Sequence, residues 1–230
     1  MRKRNGGWLI LGLLLAAPLA AQDPVEVDAK HYRVEIDNEH VRVLRITYGP
    51  GDKSVLHEHP DAVAVMLTDQ HVRFHNPGGT SNDMRAGAGD VLWTPGGTHL
   101  PENLGTKPME LILVELKPGG GRDLGSIDAA FDPVKVSPQL YKVELENDRV
   151  RVVRIRLGVG QRSKMHMHGA DVGVWLTDAH LRHYDPDGKP GEEEQYKAGQ
   201  VGFSSEMVKH AGENLGKEPF EVVVVELKAR

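Results

Sequence analysis

An internal repeat constrains the fold of this chain more than any other feature of its sequence. In each copy a glycine is followed six residues later by a histidine, and a second histidine comes two positions after the first. These residues are Gly51, His57 and His59 in the first copy and, 109 positions later, Gly160, His166 and His168 in the second. The similarity extends over residues 23–117 and 132–228, so it predicts two domains of the same fold.

A second pattern follows in each copy and supplies another histidine. It consists of a glycine, a short apolar stretch, a histidine and, four residues later, an asparagine. Its members are Gly89, His99 and Asn103 in the first copy and Gly199, His210 and Asn214 in the second. The offset between the copies grows from 109 to 111 before these histidines, because the second copy contains two additional residues.

The spacing of the paired histidines indicates metal binding. Side chains alternate between the two faces of a strand, so the two histidines of each pair share one face. Neighbouring imidazoles suit a divalent metal when a third ligand comes from another strand. The third histidine lies 40 or 42 residues beyond the pair, where the chain can return as an antiparallel neighbour. The predicted metal ligands are His57, His59 and His99 in the first copy and His166, His168 and His210 in the second.

The remaining pattern favours an all-β protein. Residues 41–46 and 150–155 are rich in β-branched side chains with partial alternation, and residues 111–114 and 222–225 are wholly apolar. Turns rich in Gly, Pro, Asn and Asp separate such segments. Many short strands between turns are typical of antiparallel barrels or sandwiches, and no long helical periodicity is present.

The two patterns together resemble the motifs of the cupin superfamily, G(X)5HXH(X)3-4E(X)6G and G(X)5PXG(X)2H(X)3N. The resemblance covers nearly all of the chain after residue 21. It implies two tandem cupin (jelly-roll-like) β-barrels, one in residues 22–117 and one in residues 132–230, joined by a linker in residues 118–131. It also implies that the two barrels pack together and that two chains pair as a homodimer.

The sequence departs from the cupin motifs at several positions. The motif glutamate is absent, and its two alternative positions hold Val63 and Ala64 in the first copy and Val172 and Gly173 in the second. In the second copy Ser205 and Met207 also replace the motif proline and glycine. A site of three histidines alone is therefore expected, with open coordination positions for water or a substrate. Asp61 has the parity to substitute for the glutamate, but its aligned partner is Ala170.

These features lead to two functional hypotheses. Three imidazoles can hold Fe, Mn, Zn or Ni, and such a metal can polarise a carboxylate or carbonyl, or activate water or dioxygen. The resemblance then implies an oxidoreductase of the dioxygenase type, or an isomerase, that acts on a small polar or anionic molecule. The alternative is a non-catalytic module that binds a small ligand and has degenerate metal sites. The sequence offers no second acid or base in a convincing position.

The other polar and aromatic residues are predicted to have structural or surface positions rather than a role in the metal sites. The two motif asparagines are expected to bond local backbone, and Glu102 and Glu213 to be surface carboxylates. His71 and Arg73, which recur as His180 and Arg182, are expected on an exposed strand rather than at a barrel mouth. Trp93 and Trp175 are expected in the core, although either could line a pocket. No role is assigned to histidines that do not recur, namely His31, His40, His75 and His183.

The first 21 residues predict export. Three basic residues precede a short apolar run and the small residues before Gln22, which is typical of a secretory signal peptide. We therefore expect a bacterial periplasmic or secreted protein with no membrane attachment after cleavage. The chain has no cysteine, which excludes a lipoprotein anchor, disulfides and thiol catalysis. Its net charge of −5 argues against a nucleic-acid partner.

Overall fold

The computed structural model describes residues 22–119, 127–205 and 209–228. The predicted signal peptide, most of the predicted linker glycines and Met207 lie outside these residues. Within them the chain is built almost entirely from short antiparallel strands. No helix in these segments is both long and apolar enough to cross a membrane.

The first half forms two antiparallel sheets that face each other. One has the strand order β1-β2-β9-β4-β7 and the other β3-β8-β5-β6. The elements are a helical turn α1 (Pro24–Val27), β1 (Tyr32–Asp37), β2 (Val41–Tyr48), β3 (His57–His59), β4 (Ala62–Met66), β5 (Gln70–His75), β6 (Ser81–Ala86), β7 (Val91–Thr94), β8 (Gly97–Asn103) and β9 (Met109–Leu116).

The second half repeats this architecture with one difference. Its sheets have the orders β10-β11-β17-β12-β15 and β14-β13-β16, and the counterpart of β3 is reduced to a single bridge between His166 and His210. The elements are a 3₁₀ turn (Ala129–Phe131), α2 (Pro133–Val136), β10 (Tyr141–Glu146), β11 (Val150–Leu157), β12 (Asp171–Trp175), β13 (Ala179–Tyr184), β14 (Pro190–Tyr196), β15 (Val201–Ser204), β16 (Ala211–Asn214) and β17 (Phe220–Leu227). The predicted all-β fold of two repeated barrels is confirmed.

The two halves pack against each other through a shared valine-rich core, which we call the inter-barrel core. Both halves contribute matching residues from their five-stranded sheets. The buried members are Val41, Val43, Val63, Val65, Ile112, Val114 and Leu116 from one half, and Val150, Val152, Val172, Val174, Val223, Val225 and Leu227 from the other. Burial of this apolar face is the main force that holds the barrels together.

A reciprocal pair of arginine contacts reinforces this packing. Arg45 donates to the carbonyl oxygen of Gly199 at 2.5 Å, and Arg154 donates to that of Gly89 at 2.5 Å. Both glycines have positive φ values, 81° and 86°, which residues with a side chain rarely adopt. The motif glycines thus form turns that also receive an arginine from the opposite barrel.

The inner strands β4 and β12 of the large sheets each turn one face to the inter-barrel core and the other to the interior of their own barrel. In β4, Val63 and Val65 point into the inter-barrel core, whereas Ala62, Ala64 and Met66 point into the interior of their own barrel. In β12 the same alternation sends Val172 and Val174 to the inter-barrel core. This alternation decides which side chains can reach each barrel cavity.

Candidate metal centres

The six predicted histidines form two separate clusters, one inside each barrel. In the N-terminal barrel His57 and His59 lie on β3, and β8 places His99 directly opposite His57. One ring nitrogen from each of the three lies within 4.8 Å of the others, and the Nε2 atoms of His57 and His59 are 3.1 Å apart. Glu58, between them, is exposed, as the alternation of a strand requires.

The C-terminal cluster has the same arrangement despite its altered motif. Backbone hydrogen bonds of 2.8 and 2.9 Å join His166 and His210 in both directions, and the ring of His168 completes the group. The three ligand atoms again lie within 4.8 Å of one another. The substitutions at Ser205 and Met207 therefore do not prevent His210 from reaching its partners.

Burial keeps three of these imidazoles, those of His57, His99 and His166, in the neutral state that binds a metal. Desolvation lowers the pKa of His57 to about 4 and those of His99 and His166 to about 3. In each case neighbouring histidines of the cluster lower the pKa further. A neutral ring presents a lone pair, so each of these three histidines can bind a cation without releasing a proton.

The other nitrogen of each paired histidine is held by a hydrogen bond that fixes the ring. The Nδ1–H of His57 donates to the carbonyl oxygen of Val55 at 2.8 Å, and that of His166 donates to the carbonyl of Lys164 at 2.7 Å. Such bonds select the tautomer with a free Nε2 lone pair, which is how proteins usually orient a metal-bound histidine. The donor set in both barrels therefore fits a divalent metal.

A buried carboxylate orients the second histidine of each pair. His59 donates from Nδ1 to Glu115 Oε1 at 2.6 Å, and His168 donates to Glu226 Oε1 at 2.9 Å. Although burial raises the pKa of Glu226, hydrogen bonds from His168 and Arg151 hold it below its usual range. The carboxylate is thus anionic and strengthens the ligand that it contacts.

An arginine and an aspartate extend this series of hydrogen bonds to the surface in both barrels. Arg42 donates from Nε to Glu115 at 2.5 Å and also bonds Asp23. Arg151 does the same with Glu226 at 2.6 Å and with Asp132 at 3.1 Å. The sequence analysis missed these groups. All of them recur between the copies, but they were read only as strand and boundary residues.

A tyrosine hydroxyl also faces each cluster. The hydroxyl of Tyr32 lies 2.9 Å from His57 Nε2, and that of Tyr141 lies 3.0 Å from His166 Nε2. Burial raises the pKa of both phenols above the usual value. Each phenol therefore stays protonated and can donate to the Nε2 lone pair that a bound metal would otherwise use.

The structure shows which of the two alternative positions of the missing motif glutamate faces each barrel cavity. Of its two alternative positions, Val63 and Val172 point into the inter-barrel core, whereas Ala64 and Gly173 line the barrel cavities. Asp61 does not substitute for it. Its carboxylate accepts the backbone N–H of Gly96 at 2.9 Å and is outside the histidine cluster.

The two barrel cavities differ in size and in lining. The N-terminal cavity has a volume of about 90 Å³ and an apolar wall that includes Phe74, Met84 and Leu92. The C-terminal cavity has a volume of about 460 Å³, within the range of small-molecule sites. Only the second has room for an organic ligand beside its histidines.

The C-terminal cavity contains acid and base groups that the sequence analysis did not identify. His183, given no role because it does not recur, packs edge-to-face on His210 with ring centroids 4.8 Å apart. Its Nδ1 is 3.3 Å from Glu194, whose other oxygen accepts the hydroxyl of Tyr196 at 2.5 Å. Asp171 lines the same cavity, and burial raises its pKa to about 7. Recurrence in both copies was therefore the wrong criterion for a functional role, because the copies have diverged at this site.

The remaining expectations concern residues other than the clustered histidines. Asn103 and Asn214 bond local backbone, as in the contacts of Asn103 with the carbonyl oxygens of Gly49 and Lys107 at 3.0 Å. Arg73 pairs with Asp83 on the outer strand face, and Arg182 and His180 pair with Glu193. Glu102 and Glu213 are half-buried rather than free at the surface, bonded to His75 and Tyr184. Trp93 packs on the inter-barrel core, whereas Trp175 lines the C-terminal cavity.

Solved structures share this architecture at low sequence identity. Oxalate decarboxylase from Bacillus subtilis at pH 4.6 is 17% identical, with a TM-score of 0.57, over 83% of this chain and 68% of its own. A cupin 2 conserved barrel domain protein from Leptotrichia buccalis is 12% identical, with a TM-score of 0.52, over 86% and 88%. AerE from Microcystis aeruginosa is 14% identical, with a TM-score of 0.55, over 86% and 97%.

These similarities establish the fold alone. Mn(II) centres have been studied in a further structure of the Bacillus subtilis oxalate decarboxylase, which is 15% identical with a TM-score of 0.54 over 84% of this chain and 70% of its own. No protein-family model matches the sequence. No curated protein matches it either.

The carboxylate beside His168 should control metal affinity. We expect Glu226→Gln to weaken metal binding at the C-terminal centre by about 10- to 100-fold, because the neutral amide no longer strengthens the imidazole. Competition with a fluorescent zinc chelator measures the change. Glu221→Gln is the matched control, since Glu221 lies on the same strand but pairs with Arg154 and Arg156, away from the cluster. Equal affinities for the two variants would contradict the assigned role.

Proposed function

We propose that this protein binds a divalent metal in each barrel and uses it as an oxidoreductase of the dioxygenase type, or as an isomerase, on a small polar molecule. The observation that carries the proposal is the pair of matching histidine clusters. In each cluster the ring nitrogens of three histidines converge, and the second nitrogen of both paired histidines is fixed by a carbonyl or a buried carboxylate. Retention of these supporting bonds in both barrels would be unnecessary for histidines that only fill a core.

The residues of the C-terminal barrel fit such chemistry best. A bound metal would supply a Lewis acid that polarises a carbonyl or carboxylate and activates water or dioxygen. His183 and Glu194 form a hydrogen-bonded pair beside the cluster, where they can hold or move a proton. The apolar walls exclude water from the ligand. The candidate metals are Fe, Mn, Zn and Ni. Mn is the first to test, because Mn(II) centres have been studied in a protein with this fold.

A non-catalytic binding module is the second candidate function. The specific observation that favours it is the N-terminal cavity, in which apolar side chains leave about 90 Å³ beside the histidines. A barrel of this kind can hold a metal as a structural element and still have no room for a substrate. Turnover in the C-terminal barrel separates this candidate from the first.

We also propose that the protein is exported to the periplasm or secreted. The support is the basic and apolar pattern of residues 1–21. Export predicts a mature N-terminus near Gln22, which mass spectrometry reads on protein recovered from the periplasm.

Metal content per chain tests the proposal directly. We expect elemental mass spectrometry to find near two metals per chain in protein exported to a periplasm and purified without chelator or nickel resin. His57→Ala and His166→Ala should each lower the value to near one, because each removes a ligand from one cluster.

Two outward-facing histidines provide the controls. His71→Ala and His180→Ala change the same residue type at matching positions of the two barrels, outside the cavities, and should leave the metal content at two. Absence of metal from every sample, even after reconstitution, would contradict the metal proposal. One metal, lost only with His57→Ala, would contradict a working C-terminal centre.

A further inference from the structure

The cavity walls of the two barrels have diverged at aligned positions. Strand register defines the alignment, because Val72 faces Met84 in one barrel as Leu181 faces Glu194 in the other, and Ala64 faces Leu92 as Gly173 faces Gly202. Apolar residues of the first barrel are replaced in the second by polar ones or by glycine. The pairs are Ala62 and Asp171, Ala64 and Gly173, Phe74 and His183, Met84 and Glu194, and Leu92 and Gly202.

These replacements both open the C-terminal cavity and make one wall polar. Loss of the Leu92 and Ala64 side chains at Gly202 and Gly173 removes volume from the wall, and the cavity grows from about 90 to about 460 Å³. Meanwhile the histidine clusters and their supporting carboxylates are unchanged between the barrels. Divergence of the wall beside a retained histidine cluster indicates a ligand site in one barrel only.

The polar groups of this wall form a connected series that begins at the metal cluster. His183 contacts His210, Glu194 bonds His183 and Tyr196, and Tyr196 stacks on Trp175 with ring centroids 4.0 Å apart. The hydrogen bond from His183 lowers the pKa of Glu194, so its carboxylate is anionic. A ligand that reaches this carboxylate must bring a hydrogen-bond donor.

The rest of the cavity wall is largely apolar and offers no cationic partner. It is formed by aliphatic and aromatic side chains such as Leu157, Leu181 and Phe220. Among the described residues that line the cavity there is no lysine or arginine, whereas the carboxylate of Glu194 is anionic. A second anionic group on the ligand would lose its hydration without a compensating charge.

We propose that the C-terminal barrel alone binds the organic ligand, and that this ligand is a ring-sized molecule with one metal-binding oxygen group at one end and a hydroxyl or amine for Glu194 at the other. A dicarboxylate is excluded by the charge of the wall. The N-terminal barrel holds metal without an organic ligand. This assignment rests on the proposed metal function for the head group, whereas the wall that selects the rest of the ligand is independent of it.

Tryptophan fluorescence tests the ligand class with matched probes. The chain has three tryptophans, so Trp8→Phe/Trp93→Phe leaves Trp175, at the cavity wall, as the only reporter. In the zinc-loaded protein we expect 3-hydroxybenzoate to change this fluorescence saturably. Isophthalate, which carries a carboxylate in place of the hydroxyl, should bind at least tenfold more weakly. Calorimetry should give one 3-hydroxybenzoate per chain although two zinc ions are present.

A wall swap between the barrels provides the mutational test. His183→Phe/Glu194→Met installs the N-terminal residues in the C-terminal barrel and should weaken 3-hydroxybenzoate binding at least tenfold while zinc content stays at two. The control is His180→Phe/Glu193→Met, which applies the same changes to a hydrogen-bonded pair on the outer face of the same strands and should leave binding unchanged. A circular dichroism melt of each variant confirms that it is folded.

The outcomes separate this assignment from the metal proposal. Two zinc ions without probe binding, two probes per chain, or equal binding of isophthalate would each overturn the ligand assignment and leave the metal proposal standing. Failure to load zinc would instead overturn the metal proposal, and a fluorescence change that persisted without zinc would still support the polar wall as a binding site.

Discussion

Val172→Glu is expected to lower the free energy of unfolding by about 4 kcal/mol or more, because it places an unpaired carboxylate in the inter-barrel core. Val172 has no solvent-exposed surface and packs within a cluster made only of aliphatic side chains. Urea denaturation followed by circular dichroism measures the decrease in the free energy of unfolding. If the decrease exceeds the stability of the protein, the variant will not fold.

Gly173→Glu is the matched variant, one residue further along the same strand, and we expect it to fold normally. A Cβ atom at this position meets nothing closer than Val222 Cγ2 at 3.9 Å, which is an ordinary contact, and the side chain enters the cavity beside the histidines. The new carboxylate adds a fourth potential ligand. Retention of metal against a chelator should therefore increase about tenfold or more.

The two variants together test which alternative position of the motif glutamate faces the metal. Val159→Glu serves as a control for the charge itself, because Val159 is 57% exposed and should tolerate the change. A stable Val172→Glu protein, or a Gly173→Glu protein that does not fold, would show that the strand faces are assigned the wrong way round.

The aligned strand of the first barrel, β4, shows what sequence could and could not predict. The six histidines were predictable because their two-residue spacing fixes a common face and the repeat supplies an independent second copy. The faces of residues 62–66 were not, since all five are buried and apolar and their alternation leaves no polar signal. A strand buried on both sides reads as a continuous apolar run, whose two faces only the tertiary packing distinguishes.

Groups that support or surround the histidines were missed for a different reason. Glu115 lies 56 residues from His59, and Arg42 lies 73 residues from Glu115, so their contact depends on the register of β2, β9 and β3. No local pattern encodes that register. The polar wall of the C-terminal cavity was missed because only residues that recur in both copies were considered as site candidates. That requirement excludes residues such as His183, which differ between the copies.

The second large loss of stability is expected in the hydrogen-bonded network of Asp23, Arg42, Glu115 and His59, where one change leaves a buried charge unpaired. We expect Arg42→Met to lower the free energy of unfolding of the metal-free protein by about 3–5 kcal/mol, because it leaves Glu115 buried without its main cation. Glu115 is 1% exposed, and its remaining partner is His59. Methionine preserves much of the volume of the arginine side chain, so most of the loss measures charge rather than packing.

Two further variants separate the loss of a partner for a buried charge from the loss of an ion pair in general. Arg33→Met removes an arginine that is 69% exposed and pairs with Glu35, so it should cost less than about 1 kcal/mol. Arg42→Met/Glu115→Gln removes both charges and should recover part of the stability lost in Arg42→Met, since no unpaired carboxylate remains buried. If the double variant were less stable than Arg42→Met by the full cost of Glu115→Gln alone, the two residues would act independently. The network from Asp23 to His59 would then have no energetic coupling, and its recurrence in the second barrel would need another explanation.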